Sequence, residues 1–293
     1  VADSFRVKWW GGSRQAEPAL ASAIARLERL AEERPELNGP AGWLRQRLPD
    51  LAAQEKVSGE SLSAETVRAT LAQGIGVLRG QRLQFDAHGF RRRWQRALET
   101  LPNPLGDQST ARIAHVFRSK KLAPCEIVDA LLAGGAEHLR VRMADLDLDP
   151  GAMATALRAA SFPLLVCLRD QWQTILTETT WERGQCPLCG NLPLLGEFRG
   201  LEQDRILRCG WCAACWQVPR LFCPYCGTRD HQRLGLLHRD GEQNHRRASV
   251  CEACGHYVKM ISTLAELPPL ELWVADLETI HLDLAAAERG LVN

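Results

Sequence analysis

The stretch CGWCAACW, residues 209–216, sets three cysteines at equal spacing: Cys209, Cys212 and Cys215. A Cys-x-x-Cys pair lets one tight turn aim two sulfurs at one ion. Three in a row offer two overlapping pairs, so the choice between them depends on the flanking sequence. Working outward, CPLCG (186–190) precedes the stretch, CPYCG (223–227) follows it and CEACG (251–255) closes the series. The pairs Cys186–Cys189, Cys209–Cys212, Cys223–Cys226 and Cys251–Cys254 then read C-x2-C-x19-C-x2-C followed by C-x2-C-x24-C-x2-C. Three of the four carry glycine directly after the second cysteine, Gly190, Gly227 and Gly255, which suits a turn residue at positive φ. Cys212 is followed by the small Ala213, and Cys215 by the bulky Trp216. Cys209 and Cys212 are therefore the expected ligands. Cys215 is the spare, either a small partly buried residue or a redox-exchangeable neighbour. CGWC alone resembles a thioredoxin-like pair, but no βαβ pattern surrounds it.

Nine of the eleven cysteines fall between 186 and 254, crowded into one segment rather than scattered as a disulfide framework. Four thiolates per ion give a tetrahedral S4 site, which admits zinc or a single rubredoxin-type iron. The two CPxCG openings each lead into short apolar runs and a polar turn, so the segment reads as two β-ribbons in tandem. That tandem plan favours pairing the first Cys-x-x-Cys with the second and the third with the fourth. A cross-braced pairing is the alternative. Each ribbon is too small to bury a useful core, so the metal is expected to supply its folding free energy. On that basis each ribbon folds independently of the rest.

Upstream, residues 14–180 read mostly as helix. Leu20, Ile24, Leu27 and Ala31 make one apolar stripe. RPELNGP (34–40), LPD (48–50) and KVSGES (56–61) read as loops, and SAETVRATLAQGIGVLRG (63–80) begins another helix. Asp149 before Pro150 is a helix start, and a separate helix is expected from Pro163 to about Thr180. Strand signals are nearly absent from this half. Cys125 and Cys167 are expected in its core. The tail VADLETIHLDLAAAERG (274–290) reads as a helix with Leu277, Ile280, Leu284 and Ala287 on one face and Gly290 at its C-cap. The expected fold is therefore α+β: an N-terminal α-helical bundle (1–182), two rubredoxin-like or zinc-ribbon β-modules (183–220 and 221–264) and a C-terminal helix (265–293).

Composition narrows function mostly by exclusion. A formal charge of +1 over 293 residues gives no global basic field for nucleic acid. Between 183 and 261 eleven Lys and Arg face seven Asp and Glu, and two divalent S4 sites bring that excess close to zero. Arg246 and Arg247 read as a solvated turn, and His231, His238, His245 and His256 as surface or neighbouring groups rather than ligands. Trp211, Trp216, Phe222 and Tyr225 are expected to pack the seam between the ribbons. The longest apolar run, FPLLVCL (162–168), stops at Arg169, well short of the ~18 residues a membrane span needs. The opening VADSFRVKWW lacks an export-signal pattern, and the expected location is the cytoplasm. No GxSxG, P-loop or dinucleotide motif points to catalysis.

CPLCG, then LRCGWCAACWQVPRLFCPYCG (207–227) and VCEACGHYVK (250–259), resemble the formate dehydrogenase accessory protein family FdhE. That family closes with Cys-x-x-Cys-Gly-x-Tyr-x-Lys, matched here by Cys251, Cys254, Gly255, Tyr257 and Lys259. Trp216 fills its aromatic position, and Cys215 departs from its pattern. The resemblance covers roughly 183–262. It implies a cytoplasmic, non-enzymatic maturation factor that contacts the catalytic subunit of respiratory formate dehydrogenase before export and carries rubredoxin-type iron. The residues themselves leave two rivals open: a rubredoxin-like electron-transfer protein, and a zinc-ribbon nucleic-acid module.

Overall fold

The computed structural model describes residues 16–102, 115, 123–143 and 149–292. Helix α1 (Ala16–Glu33) buries Ala23, Leu27 and Leu30, with Leu20, Ile24 and Ala31 flanking them. A short 3-10 turn (Pro35–Leu37) leads into α2 (Asn38–Leu51), so RPELNGP and LPD are helical where loops were expected. Pro40 falls in the first turn, where its missing N–H has no helical partner to lose. Pro49 falls in the last turn, where burial of Leu44, Leu48 and Leu51 offsets the one lost bond.

Helix α3 (Ala64–Ala72) starts at Ser63, whose hydroxyl accepts from the Thr66 N–H at 3.1 Å. It stops at Ala72, and the glycine-rich remainder, QGIGVLRG, forms turns instead. Two-residue strands β1 (Ser58–Gly59) and β2 (Leu83–Gln84) pair antiparallel, a small sheet where only loop and helix were expected. Asp86 caps α4 (Ala87–Glu99), accepting from the N–H groups of His88 and Gly89 at 3.1 and 3.0 Å. Phe90 and Trp94 bury from its inner face. Helix α5 (Pro124–Met143) is two pieces joined at Gly135, where φ is 70°.

Helix α6 (Pro150–Glu178) begins as expected: the Asp149 carboxylate accepts from Ala152 N–H at 2.6 Å. It then runs straight past Pro163, joining what the sequence reads as two helices. Phe162, Leu164, Leu165 and Leu168 are all buried, so packing on both sides of the proline holds the helix together. By length and composition Gly151–Glu178 is apolar enough to cross a membrane, although no single run is. Most of it is buried against the other helices, the placement of a core helix. Cys167 is half-buried with its thiol 3.1 Å from Glu55 O, and Cys125 is exposed rather than in the core. Cys125 lies outside the stripe of Ile127, Val128 and Leu131 that α5 buries.

The remaining strands are β3 (Pro193–Arg199), β4 (Asp204–Cys209), β5 (Cys215–Gln217), β6 (Leu234–Leu237), β7 (Arg246–Cys251) and β8 (His256–Thr263). They form one six-stranded sheet in the order β5-β4-β3-β8-β7-β6. Each ribbon is an antiparallel meander. The first strand of one and the last strand of the other run parallel in register, from Leu195 opposite Lys259 to Arg199 opposite Thr263. The two β-modules thus share their hydrogen bonding. The main core is also continuous, from Ala23 in α1 through Cys186, Leu195 and Trp211 to Ala275. The first ribbon therefore does not stand apart from the helices.

The C-terminal helical segment breaks at Thr279 into α7 (Pro269–Glu278) and α8 (Ile280–Ala287). The Thr279 hydroxyl donates to Ala275 O at 2.7 Å. The break rotates the expected face: Leu282 and Ala286 are buried, and Leu284 and Ala287 are exposed. Gly290, at φ 71°, closes the segment, with Leu291 N–H bonded back to Ala286 O at 3.0 Å. Lys259 on β8 reaches Asp276 and Asp283 at 2.6 Å each, and Tyr257 donates to Asp283 at 2.7 Å. Those bonds lay α7 and α8 against the second ribbon.

Candidate metal centres

All four Cys-x-x-Cys turns have the same backbone. The residue after the second cysteine donates to the carbonyl of the first: Gly190 to Cys186 (3.0 Å), Ala213 to Cys209 (3.0 Å), Gly227 to Cys223 (2.9 Å) and Gly255 to Cys251 (2.8 Å). Each of these residues sits at positive φ, 76° for Gly190 and Gly227, 71° for Gly255 and 56° for Ala213. Ala213 adopts the turn at the steric disadvantage of a Cβ, about 1–2 kcal/mol. Its conformation places Cys209 and Cys212, not Cys212 and Cys215, on one turn.

The turns combine sequentially. The sulfurs of Cys186, Cys189, Cys209 and Cys212 lie within 4.8 Å of one another, as do those of Cys223, Cys226, Cys251 and Cys254. Sγ–Sγ distances are 3.5 Å for Cys186–Cys212, 3.4 Å for Cys189–Cys209, and 3.7 Å for both Cys223–Cys254 and Cys226–Cys251. A tetrahedron with metal–sulfur bonds of about 2.3 Å has edges of about 3.8 Å, so both quartets fit one ion each. A disulfide would need about 2.0 Å. The donor set is soft and all-sulfur, which suits zinc or iron and not a hard cation.

The electrostatics differ between the quartets. In the first all four cysteines are buried. Burial drives the Cys186 and Cys212 thiols well above their ordinary range. Cys189 is equally buried, yet hydrogen bonds from the neighbouring thiols and from Asn191 Nδ2, 3.5 Å away, hold it well below that range. The pocket thus sustains a thiolate, but four together need a cation at the centre. In the second quartet Cys226 is exposed and lowered, chiefly by the Thr228 N–H aimed at its sulfur. Cys254, half-buried, is pushed up to about 12 by desolvation and its neighbours. Main-chain N–H groups of Tyr225 and Cys226 face Cys223, and that of His256 faces Cys254.

Cys215 joins neither quartet. Its thiol lies among Glu266, Arg208, Arg199 and Glu197, and burial pushes it up to about 11. The four histidines are outside both clusters; His231, His238 and His245 are exposed, and His256 stacks on Tyr225 at 4.4 Å. Of the aromatics expected at the seam, Trp211, Trp216 and Phe222 are buried in the main core, with Trp216 Nε1 donating to Arg183 O at 2.9 Å.

The sequence did not disclose what holds the first quartet in place. The 73–80 turns wrap it: Val77 N–H donates to Pro187 O at 2.9 Å and Leu78 N–H to Leu188 O at 2.8 Å. Gly76 lies flat against the first knuckle, where a Cβ would come within 2.9 Å of Gly190 N and 3.2 Å of Cys186 O. Of the three glycines in these turns, Gly76 is the one that lets the loop approach the knuckle.

Among protein-family profiles, none matches this chain. It is 37% identical over 108 residues to a protein FdhE homolog of Stutzerimonas stutzeri strain A1501, covering 36% of this chain and 34% of that protein. It is 33% identical over 117 residues to protein FdhE of Escherichia coli O127:H6, covering 37% and 35% respectively. The matched segment spans about a third of these relatives' length. In fold it matches the crystal structure of the FdhE protein from Pseudomonas aeruginosa, with a TM-score of 0.61 and 24% identity over 96% of this chain and 95% of that one.

Proposed function

We propose that this relative of the FdhE proteins is a non-enzymatic accessory factor in formate dehydrogenase maturation, acting in the cytoplasm on the catalytic subunit before its export. Cys186, Cys189, Cys209 and Cys212 hold one ion and Cys223, Cys226, Cys251 and Cys254 a second, iron in rubredoxin-type sites with zinc as the alternative occupant. The observation that carries this reading is the pair of all-sulfur quartets. Four protein ligands leave no open position for a substrate or activated water, the arrangement of structural rather than catalytic sites. A bound ion ties together two turns that are far apart in sequence and, as iron, exchanges one electron. The test is capture of a formate dehydrogenase catalytic subunit by the full chain under reducing, anaerobic conditions. Failure of the wild-type protein to retain that subunit contradicts the proposal.

The exposure of Cys226 favours a second reading, electron transfer through the second site, because a surface ligand shortens the path to a redox partner. Elemental analysis with a visible absorption spectrum separates the two. Anaerobically prepared protein that is colourless and carries stoichiometric zinc removes the electron-transfer reading and leaves the accessory role standing.

A further inference from the structure

Five basic side chains are buried among the described residues, and four of them have a carboxylate partner. Arg47 pairs with Asp50 at 3.3 Å, Arg169 with Asp170, Arg208 with Glu197, and Lys259 with Asp276 and Asp283 at 2.6 Å each. The fifth, Arg205 on β4, is 3% exposed and pairs with no carboxylate among the described residues. Its Nη1 donates instead to the main-chain carbonyls of Pro219, Arg220 and Phe222 at 3.3, 3.1 and 2.5 Å. Carbonyl dipoles satisfy N–H groups but do not neutralise the guanidinium, and a buried charge is costly without a counter-charge.

The second quartet lies where such a counter-charge is needed. The three carbonyls belong to the segment that joins the ribbons, and Phe222 immediately precedes Cys223. Arg205, Cys223 and Cys251 line one cavity of about 310 Å³ between the ribbons, and no carboxylate lines it. Burial lowers the pKa of Arg205 to about 10, and the charged group that opposes the fall is Cys223. Four thiolates around a divalent ion leave two negative charges unbalanced, and around a trivalent ion only one. A fixed positive charge beside them therefore favours the loaded site over the empty one, and the divalent ion over the trivalent.

We propose that Arg205 is the buried counter-ion of the second quartet. Its guanidinium balances the thiolate charge on the side of Cys223 and Cys251, strengthens the hold on a divalent ion and, for iron, favours the ferrous form. The same side chain fixes the carbonyls that lead into the Cys223 turn, so charge and position are set together. This rests on the reading of the quartets as metal sites and assigns a role to a residue outside both sets of ligands.

The test compares the full-length wild type with Arg205→Gln, which removes the charge, and Arg205→Lys, which keeps it and loses the guanidinium fork. Each is loaded with zinc and competed with a chromophoric chelator. Wild type is expected to hold two equivalents; fewer removes the metal-site reading and this proposal with it. In Arg205→Gln one ion should be held about tenfold more weakly and the other as in wild type, while Arg205→Lys keeps both within about threefold. With iron in both sites, anaerobic reductive titration of Arg205→Gln should show one couple lowered by about 59 mV, tenfold for one electron, and the other in place. A residue that only clamped the joining segment would weaken ferrous and ferric forms alike, so two unmoved potentials overturn the proposal. If Arg205→Gln fails to fold its second ribbon, Arg205→Lys decides alone: retention of both ions supports the counter-ion, and loss of the second ion overturns it.

Discussion

In the first quartet every cysteine is buried and a loop from the helical half is bonded to its turn. In the second, Cys226 is exposed and Cys254 half-buried, and the turns look out on solvent. The backbone of the knuckles is the same in both, so the knuckle does not set the difference. What packs on it does. The first ribbon is held by the main apolar core and by main-chain bonds from Val77 and Leu78. The second joins that core through β8 alone among its strands, with Val258, Met260 and Ile261, and otherwise has a small apolar cluster of Leu237, Ala248, Tyr257 and Ala286 and the ion pairs of Lys259 with Asp276 and Asp283. One site is part of the body of the protein and the other is an outwork.

The largest expected effect follows from that contrast. Cys186→Ser removes a ligand inside the main core and should destabilise the whole chain by several kcal/mol, on the order of 3–5. The helical circular dichroism signal then melts earlier together with the ribbon. Cys226→Ser should empty only the second site and leave the helical melt within about 1 kcal/mol of wild type. Equal losses of helical stability in the two variants, at matched metal content, would break the distinction.

A smaller effect tests the ionic fastening. Lys259→Met should cost about 3 kcal/mol, near the low end for breaking a buried pair, because Arg158 still faces Asp276 at 3.0 Å. The signs of the pH dependence are fixed by the same groups. Burial opposes ionisation of Asp276, but Lys259 and Arg158 hold its carboxyl below 3.8, so its contribution is present above that value and fades as pH falls through the folded-state pKa. Burial likewise opposes the charge on Lys259, but Asp276 and Asp283 raise it above 10.5, so its contribution is present below that value and fades as pH rises through the folded-state pKa. Wild-type stability measured by urea titration should therefore fall at both extremes, and Lys259→Met should lose the alkaline limb. An unchanged alkaline limb would show that the cluster does not fasten the second ribbon.

The smallest effect sharpens the description of the first site. Gly76→Ala forces the 73–80 turns off the knuckle and should cost about 1–3 kcal/mol by overpacking. Zinc released to a colorimetric chelator should then appear faster from the first quartet only. A variant as stable as wild type, with unaltered release, would mean that the loop merely lies near the cluster.

Much of the candidate metal centre was legible because thiolate chemistry writes itself locally. Two residues between cysteines and a small residue after them specify a turn, and the structure shows that turn four times, Ala213 included. The sequential pairing followed from the tandem plan. What escaped the sequence is non-local. Nothing in LLGEF or VKMIS announces that β3 and β8 run side by side, because parallel pairing leaves no turn between its partners. Pro49 and Pro163 read as breakers, since local propensity does not know how much apolar surface is buried around them. The Tyr257 and Lys259 of the closing motif look like surface residues until α7 and α8 supply Asp283 and Asp276. Cys125 was misplaced for the opposite reason: its neighbours, not its own type, decide which side of α5 faces inward.

The parallel seam between β3 and β8 also orders assembly during synthesis. The first four sulfurs are all present once Cys212 has been translated, so the first candidate site is complete while the second ribbon is still unmade. One flank of β3 stays open until His256–Thr263 emerges from the ribosome. A chain truncated before that point would keep its first sulfur quartet and expose a bare strand, an invitation to pair with its neighbours.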